Sequence, residues 1–146
     1  MSYKGKYTVK NKEKYMGDYT KVRFLSLWEL FFCRYLDNSP EVAKWNSEDC
    51  HIDYILECNN TQHYYMIDFY VIMKDGRKIL FEIKPYKQTI LPKKGKKVTR
   101  RYIGECFMYN KNLNKWKAAR KFAELNGAEF IILTEKELKV LGMKTV

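Results

Sequence analysis

The amino-acid sequence predicts a single α/β domain, spanning residues 1–146, with a mixed sheet flanked by helices. Three observations predict it. Helical and strand patterns alternate in the order helix, three strands, helix, strand, helix. The strand segments are dense in Tyr, Ile, Phe and Val and end on turn residues. The 146 residues, 46% hydrophobic and 31% charged, have the length and balance of one domain around one core. That balance excludes a disordered chain. No apolar run approaches the ~20 residues of a membrane span, so no membrane association is expected.

Residues 1–23 are polar, with Gly5 and Gly17, and read as an arm with little structure of its own. They contain no apolar signal segment, so a cytoplasmic protein is expected. Ser26-Leu27-Trp28-Glu29 fits a capping box and opens a helix to about Leu36, ended by Asn38-Ser39-Pro40. A short helical turn is expected at 41–45. Residues 51–58 read as the first strand, with Ile52, Tyr54 and Leu56 on one face, and Asn59-Asn60 as a turn. Residues 64–73 read as one long strand, and 78–84 as the next, stopped by Pro85. Lys74-Asp75-Gly76-Arg77 joins them as a tight turn. A loop over 85–101 leads to a helix over 102–126, closed by Asn126-Gly127. Residues 129–133 form a short buried strand. Thr134-Glu135-Lys136-Glu137, another capping box, opens a last helix to about Leu141.

The net charge of +11 is concentrated. Residues 84–101 hold eight basic side chains and no acid, and residues 1–23 hold seven against Glu13 and Asp18. The rest of the chain is close to neutral. A neutral body with two basic segments points to a polyanion, most simply nucleic acid. The same charges would also suit a solvated tail and loop. Four cysteines without CxxC spacing, and two isolated histidines, give no zinc pattern. They read as reduced, mostly buried thiols. No Gly-rich phosphate loop is present, so ATP use is not expected. Trp28 and Trp116 read as core residues.

The chemistry lies in the hairpin. A two-residue loop at Asp75-Gly76 pairs Lys74 with Arg77 and sets Asp68 against Ile83. A three-residue loop pairs Lys74 with Lys78, so that Asp68 faces Lys84 and Tyr70 faces Glu82. Phe69, Val71 and Met73 then share a face with Ile79, Phe81 and Ile83. Only the second arrangement gives a continuous apolar face, and it gathers Asp68, Glu82 and Lys84 on the other. Two carboxylates and a lysine on one face suit a hard divalent cation, Mg²⁺ or Mn²⁺. They would equally suit ordinary ion pairs on a solvated sheet face.

Asp68, a spacer and Glu82-Ile83-Lys84, preceded by a helix carrying Glu29, resemble the PD-(D/E)xK nuclease superfamily. Its αβββαβ core matches the order of elements above. The closer resemblance is to the TnsA-like branch, and within it to the head-completion nucleases of contractile-tailed phages. It is carried by Phe24-Leu25-Ser26-Leu27-Trp28-Glu29, Ile67-Asp68-Phe69, Phe81-Glu82-Ile83-Lys84-Pro85, Lys115-Trp116-Lys117-Ala118-Ala119-Arg120 and Phe130-Ile131-Ile132-Leu133-Thr134-Glu135. It implies a restriction-endonuclease-like fold and Mg²⁺-dependent DNA hydrolysis. Asp68 and Glu82 would bind the metal, and Lys84 would orient water or stabilise charge. Glu29 would be the extra carboxylate of this branch, a role that competes with its place in the capping box. The family's proline before the aspartate is Ile67 here.

Lys87, Gln88, Lys93, Lys94, Lys96, Lys97, Arg100 and Arg101 are expected to contact the DNA backbone. The resemblance further implies a phage product acting on packaged DNA at the head vertex, with capsid or portal proteins as partners. That places it in the infected bacterial cytoplasm or on the virion. The alternatives are a non-catalytic basic protein docking on capsid and DNA, and a junction-cleaving nuclease on the same core.

Overall fold

The computed structural model describes residues 3–144. Its regular elements are β1 (Gly5–Lys6), β2 (Arg23–Phe24), α1 (Leu27–Asn38), β3 (Val42–Ser47), β4 (His51–Leu56), β5 (Thr61–Met66), β6 (Phe69–Met73), β7 (Lys78–Ile83), α2 (Arg100–Leu125), β8 (Glu129–Leu133) and α3 (Glu135–Val140). A four-stranded sheet in the order β3-β6-β7-β8 forms the centre. Its first three strands are antiparallel and β8 runs parallel to β7. The sequence of core elements α1-β3-β6-β7-α2-β8 is the αβββαβ order of the restriction-endonuclease-like fold.

Two apolar layers sandwich this sheet. On one face Phe32 of α1 meets Phe69 and Phe81 edge-on, with ring centroids 5.0 and 5.1 Å away. Trp45, Val71, Leu133 and Leu138 of α3 complete that layer. On the other face Ala119 and Ala123 of α2 pack with Leu80 and with Ile52, Tyr54 and Ile67. The small alanines let the long helix lie close to the strands.

Several expectations are corrected. Residues 41–45 form no helical turn: β3 occupies Val42–Ser47 and is the first core strand. Its alternation is broken by an irregularity between Val42 and Lys44, which hides the strand period in the sequence. The segment 51–58 instead supplies β4, half of a separate β4-β5 hairpin inserted between core strands. The apparent long strand 64–73 is two strands. The chain leaves β5 at Met66 and enters the central sheet at Phe69, with Ile67 and Asp68 at the crossing.

Residues 1–23, where described, are integral to the core. β1 pairs with β2, and Tyr7, Val9 and Val22 are buried. The fully buried Asp37 at the end of α1 fastens this segment. It accepts hydrogen bonds from the Tyr7 hydroxyl (2.7 Å) and the amides of Lys10 (2.8 Å) and Asn11 (3.0 Å). Lys14 Nζ donates to the carbonyls of Leu36, Asp37 and Ser39, closing the helix end. Of the cysteines only Cys33 is buried, and all four are free.

The hairpin keeps the expected faces but not the expected pairs. Ile72, rather than Lys74, faces Lys78, and Phe69 faces Phe81. The loop is three residues long but sits one pair earlier, with Gly76 in the left-handed region at φ 92°. Because the shift is by an even number of residues, each side chain stays on its face.

Candidate active site

Asp68, Glu82 and Lys84 lie on the face of the sheet away from Phe69, Val71 and Phe81. Continued one residue beyond the Phe69–Phe81 pair, the observed register sets Asp68 opposite Glu82 rather than Lys84. Asp68 is half-buried at the crossing between β5 and β6, and its Oδ2 accepts from the Ile83 amide at 2.8 Å. That bond fixes the carboxylate against the end of β7. Glu82 is only 4% exposed, and its Oε2 accepts from the indole N–H of Trp116 on α2. The core tryptophan therefore also orients a site carboxylate. Lys84 follows β7, is half-buried, and its amide donates to Leu133 at 3.0 Å.

Glu29 reaches this site from α1. The Ser26 hydroxyl accepts from the Glu29 amide at 3.2 Å, so Ser26 caps the helix. The reciprocal bond to the Ser26 amide is not formed, and the hydroxyl instead approaches Glu29 Oε2 at 3.4 Å. The Glu29 side chain is thus free of the full capping box. The box at Thr134 and Glu137, in contrast, is complete.

One site residue was missed by sequence reasoning. Oxygens of Glu29, Glu48 and Asp68 all lie within 4.8 Å of one another. Glu48 follows β3 with a φ of 48°, left-handed backbone that is uncommon for glutamate. Its amide donates to the Asp68 carbonyl at 3.0 Å, tying the end of β3 to the crossing. The signal that could have found it is an acidic turn closing the first core strand. With that strand placed at 51–58, Glu48 falls between the expected elements. Glu82 lies outside this group of three and faces Asp68 from β7.

The electrostatics fit a cation. Burial, then the charge of Glu82, holds Asp68 well above the usual carboxylate range. Burial and the neighbouring Glu48 push Glu29 upward, and burial does the same to Glu48. Lys84 opposes these shifts at Asp68 and Glu29 without reversing them. A cluster of oxygen donors with no nitrogen or sulfur, and too little positive charge of its own, suits a hard divalent ion. Lys115 on α2 is a further cation beside Lys84 and Glu82. Burial, then the charge of Lys84, lowers its pKa.

The basic residues sit beyond the end of β7. Lys87 and Gln88 lie in a short 3-10 turn (Tyr86–Gln88), and Lys93, Lys94, Lys96 and Lys97 in an exposed loop. Arg100 and Arg101 occupy the first turn of α2, capped by Thr99.

A sheet of this topology, with carboxylates and a lysine gathered at the β6–β7 edge, defines a restriction-endonuclease-like nuclease domain. The model of the TnsA-like endonuclease N-terminal family matches residues 39–135. The chain is also 38% identical over 148 residues to the head completion nuclease of Enterobacteria phage T4, with 99% of each chain covered. It belongs to the TnsA-like endonucleases, a family of DNA-cleaving enzymes. Glu29 precedes the family match and falls within the full-length one.

Proposed function

We propose that this protein is a Mg²⁺- or Mn²⁺-dependent DNA endonuclease of PD-(D/E)xK type that works in phage head completion. The carrying observation is the carboxylate group Glu29, Glu48 and Asp68, within 4.8 Å, beside Lys84. Head completion is supported by the name of the phage T4 relative, a head completion nuclease. Packaged DNA at the head vertex is then the substrate, and capsid or portal proteins are the neighbours. The setting is the infected bacterial cytoplasm and the virion. Among the described residues no helix is long and apolar enough to cross a membrane.

Asp68, Glu29 and Glu48 would hold the ion, with Glu82 facing Asp68 as a further oxygen donor. A bound ion supplies polarisation of the phosphate and a more acidic water. The remaining work falls to the chain. Ile83 N–H holds the Asp68 carboxylate in place, and Trp116 N–H does the same for Glu82. Lys84 places a positive charge where the phosphate gains negative charge as water oxygen bonds to phosphorus and the ester oxygen departs. Lys87, Gln88, Lys93, Lys94, Lys96, Lys97, Arg100 and Arg101 hold the DNA backbone through phosphate contacts that carry little sequence information. Arg100 and Arg101 oppose the dipole of α2, an unfavourable placement that a bound polyanion offsets.

The test is cleavage of supercoiled plasmid with Mg²⁺, Mn²⁺ or chelator. Wild-type protein should nick or linearise plasmid only with metal, and Asp68→Ala, Glu82→Ala and Lys84→Ala should not. Cleavage in chelator, or by the variants at the wild-type rate, would reject this reading in favour of a basic docking protein. Preferential cutting of a four-way junction would assign it to the junction-cleaving class.

A further inference from the structure

Between residues 87–93 and the N-terminal half of α2 lies a cavity of about 710 Å³. Its walls are apolar, from Ile90, Leu91, Pro92 and Met108, with the ring of Tyr109 beside them. Lys87, Lys93 and Arg101 also line it, against the single acid Glu105. Asn112 lines it too, only 3% exposed, and its Oδ1 has no hydrogen-bond partner. A buried carbonyl oxygen without a donor is unfavourable, so Asn112 gains a partner if its side chain turns toward an N–H in the cavity.

The cavity adjoins the candidate active site along two connections. Asn112 lies one helical turn, roughly 6 Å, before Trp116, which holds Glu82. Lys87 is the third residue after Lys84. A strand whose phosphate sat at Lys84 would therefore pass the mouth of the cavity.

We infer that this cavity is a subsite for one nucleobase of the DNA substrate, unstacked next to the scissile phosphate. The inference rests on the nuclease reading and deepens it. A base has flat apolar faces for Ile90, Leu91, Met108 and Tyr109, and edge N–H groups for Asn112 Oδ1. Its flanking phosphates meet Lys87, Lys93 and Arg101. Gly104 keeps the helix wall open, since a Cβ there meets nothing within 4 Å. An apolar peptide would leave the three cations unpaired, so the charge favours a nucleic-acid strand.

The experiment measures binding by fluorescence anisotropy in chelator, where no cutting occurs. The probes are a fully paired DNA duplex and the same duplex with a central mismatch. Extruding a base costs less at the mismatch, so wild-type protein should bind that duplex roughly tenfold more tightly. Gly104→Leu fills the cavity from a helical position that tolerates leucine, and Asn112→Leu removes the acceptor at similar volume. Both should lose the preference while binding the paired duplex within about threefold of wild type through phosphate contacts. Unchanged circular dichroism verifies folding. No mismatch preference in wild type, or a preference retained in both variants, overturns the inference. Plasmid cleavage is scored separately. A failed cleavage assay with an intact, cavity-dependent mismatch preference removes the nuclease reading and leaves the base subsite standing.

Discussion

Replacing Asp68 by asparagine should make the metal-free protein more stable while removing its response to metal. Asn keeps an oxygen for the Ile83 amide, so the hydrogen bond at 2.8 Å survives. What it removes is one charge from a group whose oxygens lie within 4.8 Å. At an effective dielectric near 20, unit charges that far apart repel by roughly 3 kcal/mol. Lys84 and partial proton uptake relieve much of this, leaving a net gain of about 1–3 kcal/mol at neutral pH. For a domain of this size that is a rise of roughly 3–10 °C in melting temperature.

The pH dependence has a definite sign. Folding raises the Asp68 pKa, so its stabilising contribution is complete below the unfolded value near ~4 and is lost as pH rises through the folded value. The advantage of Asp68→Asn should therefore be largest near neutral pH and shrink toward pH ~5. Mg²⁺ or Mn²⁺ at a hundredfold excess over its dissociation constant should stabilise wild type by about 2.7 kcal/mol and the variant by far less. Differential scanning fluorimetry with chelator and with metal reads all of these effects. A lower melting temperature for the variant in chelator, or equal metal shifts in both proteins, would refute the reasoning.

Glu48→Gly should relieve left-handed strain and stabilise the metal-free fold by about 1 kcal/mol, yet slow metal-dependent cleavage at least tenfold. Urea melts and plasmid nicking check the two effects, which a purely structural Glu48 would not separate. Asp37→Ala strands the Tyr7, Lys10 and Asn11 donors and should cost about 3–5 kcal/mol in urea unfolding. Burial raises the Asp37 pKa, but those donors outweigh it and hold the group low, so its contribution exists above pH ~4 and fades as pH falls through the folded value. The stability gap between wild type and Asp37→Ala should accordingly narrow in acid. Changing Lys93, Lys94, Lys96 and Lys97 to alanine should flatten the log–log salt dependence of DNA affinity by up to about 3.6 units. An unchanged slope would move the binding surface away from this loop.

The helices were legible in the sequence because their signals are local. Ser26 and Thr134 cap α1 and α3 through bonds to amides two or three residues away, whereas α2 opens at Arg100, not at 102, on a Thr99 cap that the sequence reading passed over. The opposed faces of the β6-β7 hairpin were legible for a related reason. Side chains alternate with a period of two, so Asp68, Glu82 and Lys84 had to share a face once Phe69 and Phe81 shared the other. The basic character of 85–101 needs no fold at all.

Only the tertiary structure decided what depends on distant partners. The exact hairpin pairing turned on where the loop sits, a choice between registers that bury the same residues. β3 is a strand because β6 offers it a ladder, although its own alternation is interrupted. The split of 64–73 follows from two different sheets claiming its two halves, which no local pattern encodes. The N-terminal segment is ordered by one buried carboxylate, Asp37, some thirty residues away. The same long-range closure makes the site: the Glu48 amide finds the Asp68 carbonyl across the sheet edge, and Glu29 arrives from α1. A sequence specifies its carboxylates one at a time, but like charges are brought within 5 Å only when the burial of the whole core outweighs their repulsion.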